Sequence, residues 1–78
     1  MSVVKVVELM GTSKVSWEDA VKEIVKVASA SVRHISGVDV VRQTAYVTDG
    51  QISEYRVTAH VAFQVEEHAH ILGAAGRG

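Results

Sequence analysis

Residues 48–66 read TDGQISEYRVTAHVAFQVE and largely decide the fold. Asp49-Gly50 is a strong signal for a two-residue hairpin turn, because both residues readily adopt positive φ. From Ile52 to about Glu66 the side chains alternate in character, which predicts a long, half-buried third strand. One face carries Tyr55, Val57, Ala59, Val61, Phe63 and Val65. The other carries Glu54, Arg56, Thr58, His60, Ala62, Gln64 and Glu66.

The residues before the hairpin predict one further strand and one amphipathic helix. The valine-rich segment Val3–Met10 favours a strand, and residues 11–14 are expected to end it. Ser16 is a good N-cap, and Asp19 at the third helical position approximates a capping box. A helix is therefore predicted from Trp17 to Ile35. Its apolar stripe consists of Val21, Ile24, Val25, Ala28, Val32 and Ile35.

The resulting element order predicts an α+β fold of β-α-β-β type. Gly37 is expected to end the helix as a left-handed cap, and Val38–Val47 to form the second strand. The three strands then form an antiparallel sheet wrapped around one helix. The third strand would extend more than ~40 Å, whereas a ~19-residue helix spans ~28 Å. Because one helix cannot cover such a sheet, copies of the chain are expected to complete the fold.

A turn in which Thr48 opposes Gln51 fixes the predicted register of the hairpin. Beneath the helix, this register pairs Val38 with Val61, Val40 with Ala59, and Thr44 with Tyr55. On the reverse face it pairs Gly37 with Ala62, Asp39 with His60, Val41 with Thr58, and Gln43 with Arg56. The reverse face carries few long charged side chains, so we expect it to be a lining or an interface.

The composition excludes several classes of function. The chain has 78 residues, a net charge of −1 and four aromatic side chains, so it lacks the basic field and the stacking surface that nucleic acid requires. It has no cysteine, which excludes disulfides, thiolate zinc sites and cysteine nucleophiles. No apolar run approaches the ~20 residues that cross a bilayer. Residues 1–5 lack the order of a signal peptide, so a cytoplasmic protein is expected.

No arrangement of side chains indicates catalysis. Serines and histidines are scattered, without a nucleophile, base and acid on adjacent turns or strands. Glu66 and Glu67 are neighbours, and on a strand their side chains would point to opposite faces. We therefore predict that the protein is not an enzyme.

Five motifs, in this order, resemble the dodecin family over roughly residues 3 to 66. They are Glu8-Leu9-Met10-Gly11-Thr12-Ser13, Ser16-Trp17-Glu18-Asp19-Ala20, Val38-Asp39-Val40-Val41, Asp49-Gly50 and Tyr55-Arg56-Val57-Thr58. The resemblance implies that residues 1–67 form a β-α-β-β protomer and that twelve protomers form a hollow shell of tetrahedral symmetry. Family members store flavins as stacked pairs near the two-fold axes, and some hold coenzyme A or ions near the three-fold axes. Residues 68–78 lie outside the resemblance and are expected to form a flexible tail.

The resemblance also implies two ligand-binding positions, and both are altered in this chain. The tryptophan that stacks on the flavin is replaced by Gly37, and the glutamine that bonds the ring edge is replaced by Arg56. The stacking surface is lost, and arginine offers donors only. The chain resembles the calcium-dodecin branch, which lacks this tryptophan and carries a Ser-Trp-Glu motif such as residues 16–18. Flavin binding is therefore disfavoured, calcium or coenzyme A are the other ligands implied, and no metal ligand follows from a motif.

Several residues keep two interpretations. Trp17 either packs within its own or a neighbouring subunit or stacks on a ligand. Arg56 either forms an intersubunit ion pair, with Glu54 or Asp39, or binds an anion. A hard ion such as calcium needs six to eight oxygens, which copies around a symmetry axis could supply. The acidic candidates are Glu8, Asp19, Asp39, Glu54, Glu66 and Glu67.

The histidines and the tail give weaker signals. His34 is expected near the helix end, where a cation is mildly favoured, and His60 opposite Asp39. His68 and His70 form a loose pair that does not make a zinc site. The tail is either disordered, docked on the shell through Ile71 and Leu72, or a peptide that another protein recognises.

The predicted function is therefore a homododecameric hollow shell that binds and stores a small ligand or ion. One alternative is a dodecin that stores flavin, as FMN or riboflavin. Another is a structural oligomer in which the tail is an interaction element. A flavin-dependent enzyme ranks last, because Gly37 and Arg56 oppose flavin binding. The expected partners are further copies of the chain and a small ligand or ion, with neither nucleic acid nor a membrane.

Overall fold

The computed structural model describes residues 3–65, which form one helix and one three-stranded antiparallel sheet. The elements are β1 (Val3–Ser13), α1 (Trp17–Ser31), β2 (Ile35–Thr48) and β3 (Gln51–Val65). The strand order is β1-β3-β2, so the long β3 lies in the centre and pairs with both other strands. The α+β, β-α-β-β fold is therefore confirmed. The predictions for Glu66, Glu67, the domain boundary at residue 67 and the tail 68–78 lie outside the described residues.

Strand β1 continues to Ser13, so the predicted break at residues 11–14 is wrong. Gly11 lies within the strand, opposite Val57. A Cβ atom at Gly11 would lie 2.6 Å from Cγ1 of Ile24 and 2.8 Å from the carbonyl oxygen of Ala20. Glycine is needed here because α1 crosses close over β1, not because the chain turns.

Helix α1 begins as predicted, with Ser16 as its N-cap. The Ser16 hydroxyl accepts a hydrogen bond of 2.9 Å from the Asp19 amide. The reciprocal half of a capping box is absent, because Ser13 Oγ donates to Asp19 Oδ2 at 2.8 Å. The same hydroxyl accepts a bond of 2.9 Å from the Val15 amide. The buried Ser13 thus joins the end of β1 to the first turn of α1.

Helix α1 ends at Ser31, four residues before the predicted end at Ile35. Val32 is an extended C-cap whose N–H bonds the carbonyl oxygen of Ala28 at 2.9 Å. The apolar spacing continues through Val32 to Ile35, but Ile35 reaches the core from a strand. Periodicity alone therefore placed the helix end too late.

The left-handed residue after the helix is His34, not Gly37. His34 has a φ of 60°, and its carbonyl oxygen accepts a 3.0 Å bond from the Gln64 amide. Gly37 lies inside β2, opposite Ala62, and has no positive φ. The prediction of a cap at Gly37 is wrong because the chain has already turned three residues earlier.

Two β-bulges displace the hairpin register by one residue over residues 42–46. Ser53 is the extra residue in β3 and Val41 the extra residue in β2. The Ser53 hydroxyl donates to the Tyr46 carbonyl oxygen and accepts from Thr48 Oγ1, both at 3.2 Å. This local bonding stabilises the first bulge, and the second lies on an edge strand, where bulges are common.

The bulges decide which predicted pairs are correct. Outside them, and as far as a third irregularity at Ser36, the predicted register holds for the pairs Thr48–Gln51, Val40–Ala59, Asp39–His60, Val38–Val61 and Gly37–Ala62. Between them three predicted pairs are wrong. Thr44 lies opposite Arg56 instead of Tyr55, Gln43 opposite Val57 instead of Arg56, and Arg42 instead of Val41 opposite Thr58. A shift of one residue moves a side chain to the other face of the sheet.

The core between α1 and β3 is small. The buried apolar residues are Ala20, Ile24, Ala28, Val57, Ala59 and Val61. Val21 and Val25 of the predicted stripe are only half-buried, because Ala20 takes the central position. The 15 residues of β3 extend about 50 Å, whereas the 15 residues of α1 span about 22 Å. The helix therefore covers less than half the length of the central strand. Within residues 3–65, no helix has the length and apolarity to span a membrane.

Candidate functional site

The face of the sheet that points away from α1 is left uncovered by the described residues, and we call it the open face. It consists of rows of side chains, each row centred on an even-numbered residue of β3. Written in the order β1, β3, β2, these rows are Thr12–Arg56–Thr44, Met10–Thr58–Arg42, Glu8–His60–Asp39 and Val6–Ala62–Gly37. The open face thus carries both positions of the predicted ligand pocket, Gly37 and Arg56.

Arg56 is held in place by two side chains of its own subunit. Its Nη2 donates to Glu54 Oε2 at 3.0 Å, and the guanidinium carbon lies 4.2 Å from the centre of the Tyr46 ring. Its Nε is buried and has no hydrogen-bond partner among the described residues. The contact with Glu54 lies within one chain, whereas the sequence suggested a pair between subunits. Arg56 is thus held by Glu54 at one edge and by Tyr46 on one face, and its donors are only partly satisfied within the described residues.

Gly37 and Arg56 share the open face, but one chain does not bring them together. Gly37 lies opposite Ala62, and Ala62 is six positions along β3 from Arg56. At ~3.3 Å per residue the two positions are about 20 Å apart. Gly37 is exposed, and a Cβ atom there would meet nothing within 4 Å. A single pocket that contains both positions would need two copies of the chain.

His60 lies between two acidic residues in the middle of the open face. Asp39 is its register partner on β2, as predicted, and Glu8 is its partner on β1. The ring pairs with Glu8, with 3.0 Å between His60 Nε2 and Glu8 Oε1. This contact is largely exposed to solvent, so it contributes little to stability.

The carboxylates that were candidates for a metal ion are mostly engaged by other groups. Asp19 accepts from Ser13, Glu54 pairs with Arg56, and Glu8 pairs with His60. Within residues 3–65, Asp39 is the one candidate without a side-chain partner. That part of the chain contains no group of three or more acidic or histidine side chains that could hold a metal ion. A calcium site within it would therefore have to combine residues from several copies.

Trp17 packs against the hairpin of its own chain. Its indole Nε1 donates to the carbonyl oxygen of Thr44 at 2.8 Å. Its ring meets Tyr55 edge to face, with 5.0 Å between the ring centres. Trp17 thus connects the first turn of α1 to the part of the hairpin that extends beyond the helix, and its indole N–H is not available to a ligand.

The sequence did not indicate that Tyr46 and Arg42 lie on the open face. In an unbroken register, Arg42 and Tyr46 would share the helix face with Val38 and Val40, and the two bulges move them to the open face. The only sequence signal is the serine at position 53, whose hydroxyl satisfies the backbone at the bulge. Serine is too common in hairpins for that signal to have been sufficient.

Comparison with known proteins connects this geometry to one family. The family model described as Dodecin matches residues 3–66. The calcium dodecin of Mycobacterium tuberculosis is 38% identical over 65 residues, which cover 83% of this chain and 92% of that protein.

Two solved structures have the same fold. The dodecin from Streptomyces coelicolor has a TM-score of 0.81 at 28% identity, covering 86% of this chain and 96% of its own. The M. tuberculosis calcium dodecin, described as a calcium-chelating antigen with a novel calcium-binding site, has a TM-score of 0.72 at 39% identity. That match covers 83% of this chain and 93% of its own.

Proposed function

The chain belongs to the dodecin family, and we propose that twelve copies of it form a hollow, cytoplasmic shell that binds and stores a small ligand or ion. The role is binding rather than catalysis. The observation that carries the proposal is the incomplete protomer, in which a short helix lies on a much longer sheet whose other face is uncovered.

The surface of the single protomer supports self-assembly. Within residues 3–65 only six apolar residues are buried, and three of them are alanines. In the same described range, eleven large apolar side chains are exposed, among them Val6, Met10 and Tyr46 on the open face and Val47 and Ile52 near the hairpin tip. A core of this size does not offset the conformational entropy of ordering the chain. Copies of the same chain would cover this surface.

Calcium is the first ligand we propose, because the calcium dodecin of M. tuberculosis is similar to this chain over most of its length. The carboxylates within residues 3–65 do not form a complete calcium site in one chain. Calcium takes six to eight oxygen ligands, and carboxylates repeated around a symmetry axis supply such a set. We therefore propose a calcium site shared between subunits, and we assign no individual ligand.

Flavin is the second candidate, and the two altered positions oppose it. Gly37 provides no ring to stack on, one donor of Arg56 is occupied by Glu54, and the Tyr46 ring covers one face of the guanidinium group. Coenzyme A remains a third candidate on family grounds alone. A structural oligomer in which the tail contacts another protein is the alternative that requires no ligand.

Calorimetric titration of the purified full-length protein separates these ligands. The proposal expects heat and a raised melting temperature with calcium, and no yellow colour or flavin-binding signal with FMN or riboflavin. Binding to riboflavin by the unaltered chain would contradict our interpretation of Gly37 and Arg56. Elemental analysis of the particle as purified identifies an ion that is already bound.

A gain-of-function variant provides the matched control for flavin. Gly37→Trp combined with Arg56→Gln restores the stacking ring and the acceptor that the family resemblance implies, so we expect riboflavin fluorescence to be quenched by the double variant only. If neither calcium, flavin nor coenzyme A binds to an assembled shell, the structural oligomer is the better description.

A further inference from the structure

A narrow groove runs along the outer edge of β1, between this strand and one side of α1. Residues 9–12 of β1 form one wall, and Glu23, Ile24 and Val27 of α1 form the other. Within the described residues β1 is an edge strand, so no further strand closes the groove. Its volume is about 250 Å³, below the roughly 300–1,000 Å³ of sites that hold small molecules. The groove therefore suits a short stretch of polypeptide better than a cofactor.

The surface of the groove is mainly apolar and carries one negative charge. Val27 is 62% exposed and Met10 is 58% exposed in the described part of the chain. Glu23 is exposed at the rim, and its side chain makes no hydrogen bond or ion pair with another described residue. An occupant with apolar side chains and one positive charge would complement this surface.

We propose that residues 71–77, with the sequence ILGAAGR, lie in the groove of their own chain. Leu72 packs against Val27, and Arg77 pairs with Glu23. The two glycines inside the segment let its backbone approach the edge of β1 closely. The match to the family model ends before this segment, so the contact goes beyond what the family implies.

The length of chain after β3 is sufficient to bring this segment to the groove. Val65, at the end of β3, lies opposite Val3 at the start of β1. Leu9 is six residues further along β1, about 20 Å from Val3 at ~3.3 Å per residue. Leu72 is seven residues beyond Val65, so an extended chain carries it up to about 25 Å. The apolar residues of the segment thus reach the near end of the groove.

The order of residues in the segment matches the order of groups along the groove. Ala20, in the first turn of α1, lies against Gly11 near the end of β1. The strand that follows the helix begins level with Lys5, near the start of β1. The helix therefore runs back along β1, and Val27 lies nearer the start of the strand than Glu23. A segment that enters from that end meets Val27 with its apolar residues and Glu23 with its arginine.

Attachment to β3 favours this occupant over a separate protein. A segment tethered by a short linker has an effective concentration in about the millimolar range. Two apolar contacts and one exposed ion pair are then enough to keep the groove filled, whereas a free peptide with the same contacts would bind weakly.

Engineered disulfides test this contact, because the chain has no cysteine of its own. We expect Val27→Cys with Leu72→Cys, in the full chain, to oxidise at least tenfold faster than Ser29→Cys with Leu72→Cys. Ser29 is the matched control, since it is also exposed on α1 but points about 200° away around the helix from Val27. Neither change on α1 removes a buried side chain. On a non-reducing gel the fast product should run as a single chain.

The same assay tests the ion pair. Arg77→Glu should slow closure of the Val27/Leu72 disulfide about two- to fivefold, as expected for an exposed pair. Adding Glu23→Arg should restore the rate, and circular dichroism checks that each variant is folded.

Three results would overturn the inference. Equal rates for the two cysteine pairs would mean that the segment does not lie in the groove. A product that contains two chains would place the segment on a neighbouring copy. A rate that ignores both charge reversals would remove the pairing of Arg77 with Glu23. None of these results depends on calcium or on the number of subunits, so each would leave the proposed function unaffected.

Discussion

Gly11→Ala should destabilise the protomer, because α1 lies against the backbone of β1 at this residue. The added methyl carbon would lie 2.6 Å from Cγ1 of Ile24 and 2.8 Å from the carbonyl oxygen of Ala20. The side chain of Ile24 is confined in the core and the carbonyl belongs to the helix backbone, so the helix has to move. Overpacking of this kind costs about 1–3 kcal/mol. The lower entropy of an unfolded chain with alanine offsets about 0.4–1 kcal/mol.

The expected net effect of Gly11→Ala is a loss of about 1–2 kcal/mol in the free energy of unfolding. Urea denaturation measures it, with all variants at one protomer concentration, because association adds to apparent stability. Gly37→Ala is the control, since a methyl group there meets nothing within 4 Å and its φ is not positive. It should be neutral or stabilising. Equal stability of the two variants would refute the close approach of α1 to β1.

Three further substitutions test the contacts that hold α1 on the sheet, each by urea denaturation at fixed protomer concentration. Ile24→Ala removes the largest buried side chain of the helix and should cost about 3 kcal/mol; a loss below 1 kcal/mol would place Ile24 outside the core. Trp17→Phe keeps a ring against Tyr55 but loses the bond to the Thr44 carbonyl, which should cost about 1 kcal/mol; no change would mean that this bond is not made. Ser16→Ala removes the N-cap and should cost about 1 kcal/mol, whereas Ser16→Asp should retain most of the stability.

The features that the sequence predicted correctly are those controlled by neighbouring residues. Period-two alternation fixes which side chains of β3 face the helix, and Asp49-Gly50 fixes the turn, where both residues adopt positive φ. Ser16 sets the start of α1 through a bond to an amide three residues away. Three strands and one helix in this order can form only a few single-sheet topologies, so the order of the elements predicts the fold class.

The features that the sequence did not predict depend on contacts distant in the chain. Gly11 was predicted to break β1. The contact that requires a glycine there is made with Ile24 of α1, which lies 13 residues further along the chain. The end of α1 was placed too late because Ile35 continues the helical spacing from a strand. The bulge at Val41 becomes evident only after β2 is paired with β3, and it places Arg42 on the same face as Asp39.

Sedimentation velocity of the full-length protein at micromolar concentration tests the central claim, that the single protomer is incomplete and is stabilised by copies of itself. The account predicts a particle of about 100 kDa, twelve times the 8.4 kDa chain, that loses its secondary structure when it dissociates. A stable, folded 8.4 kDa monomer would contradict it.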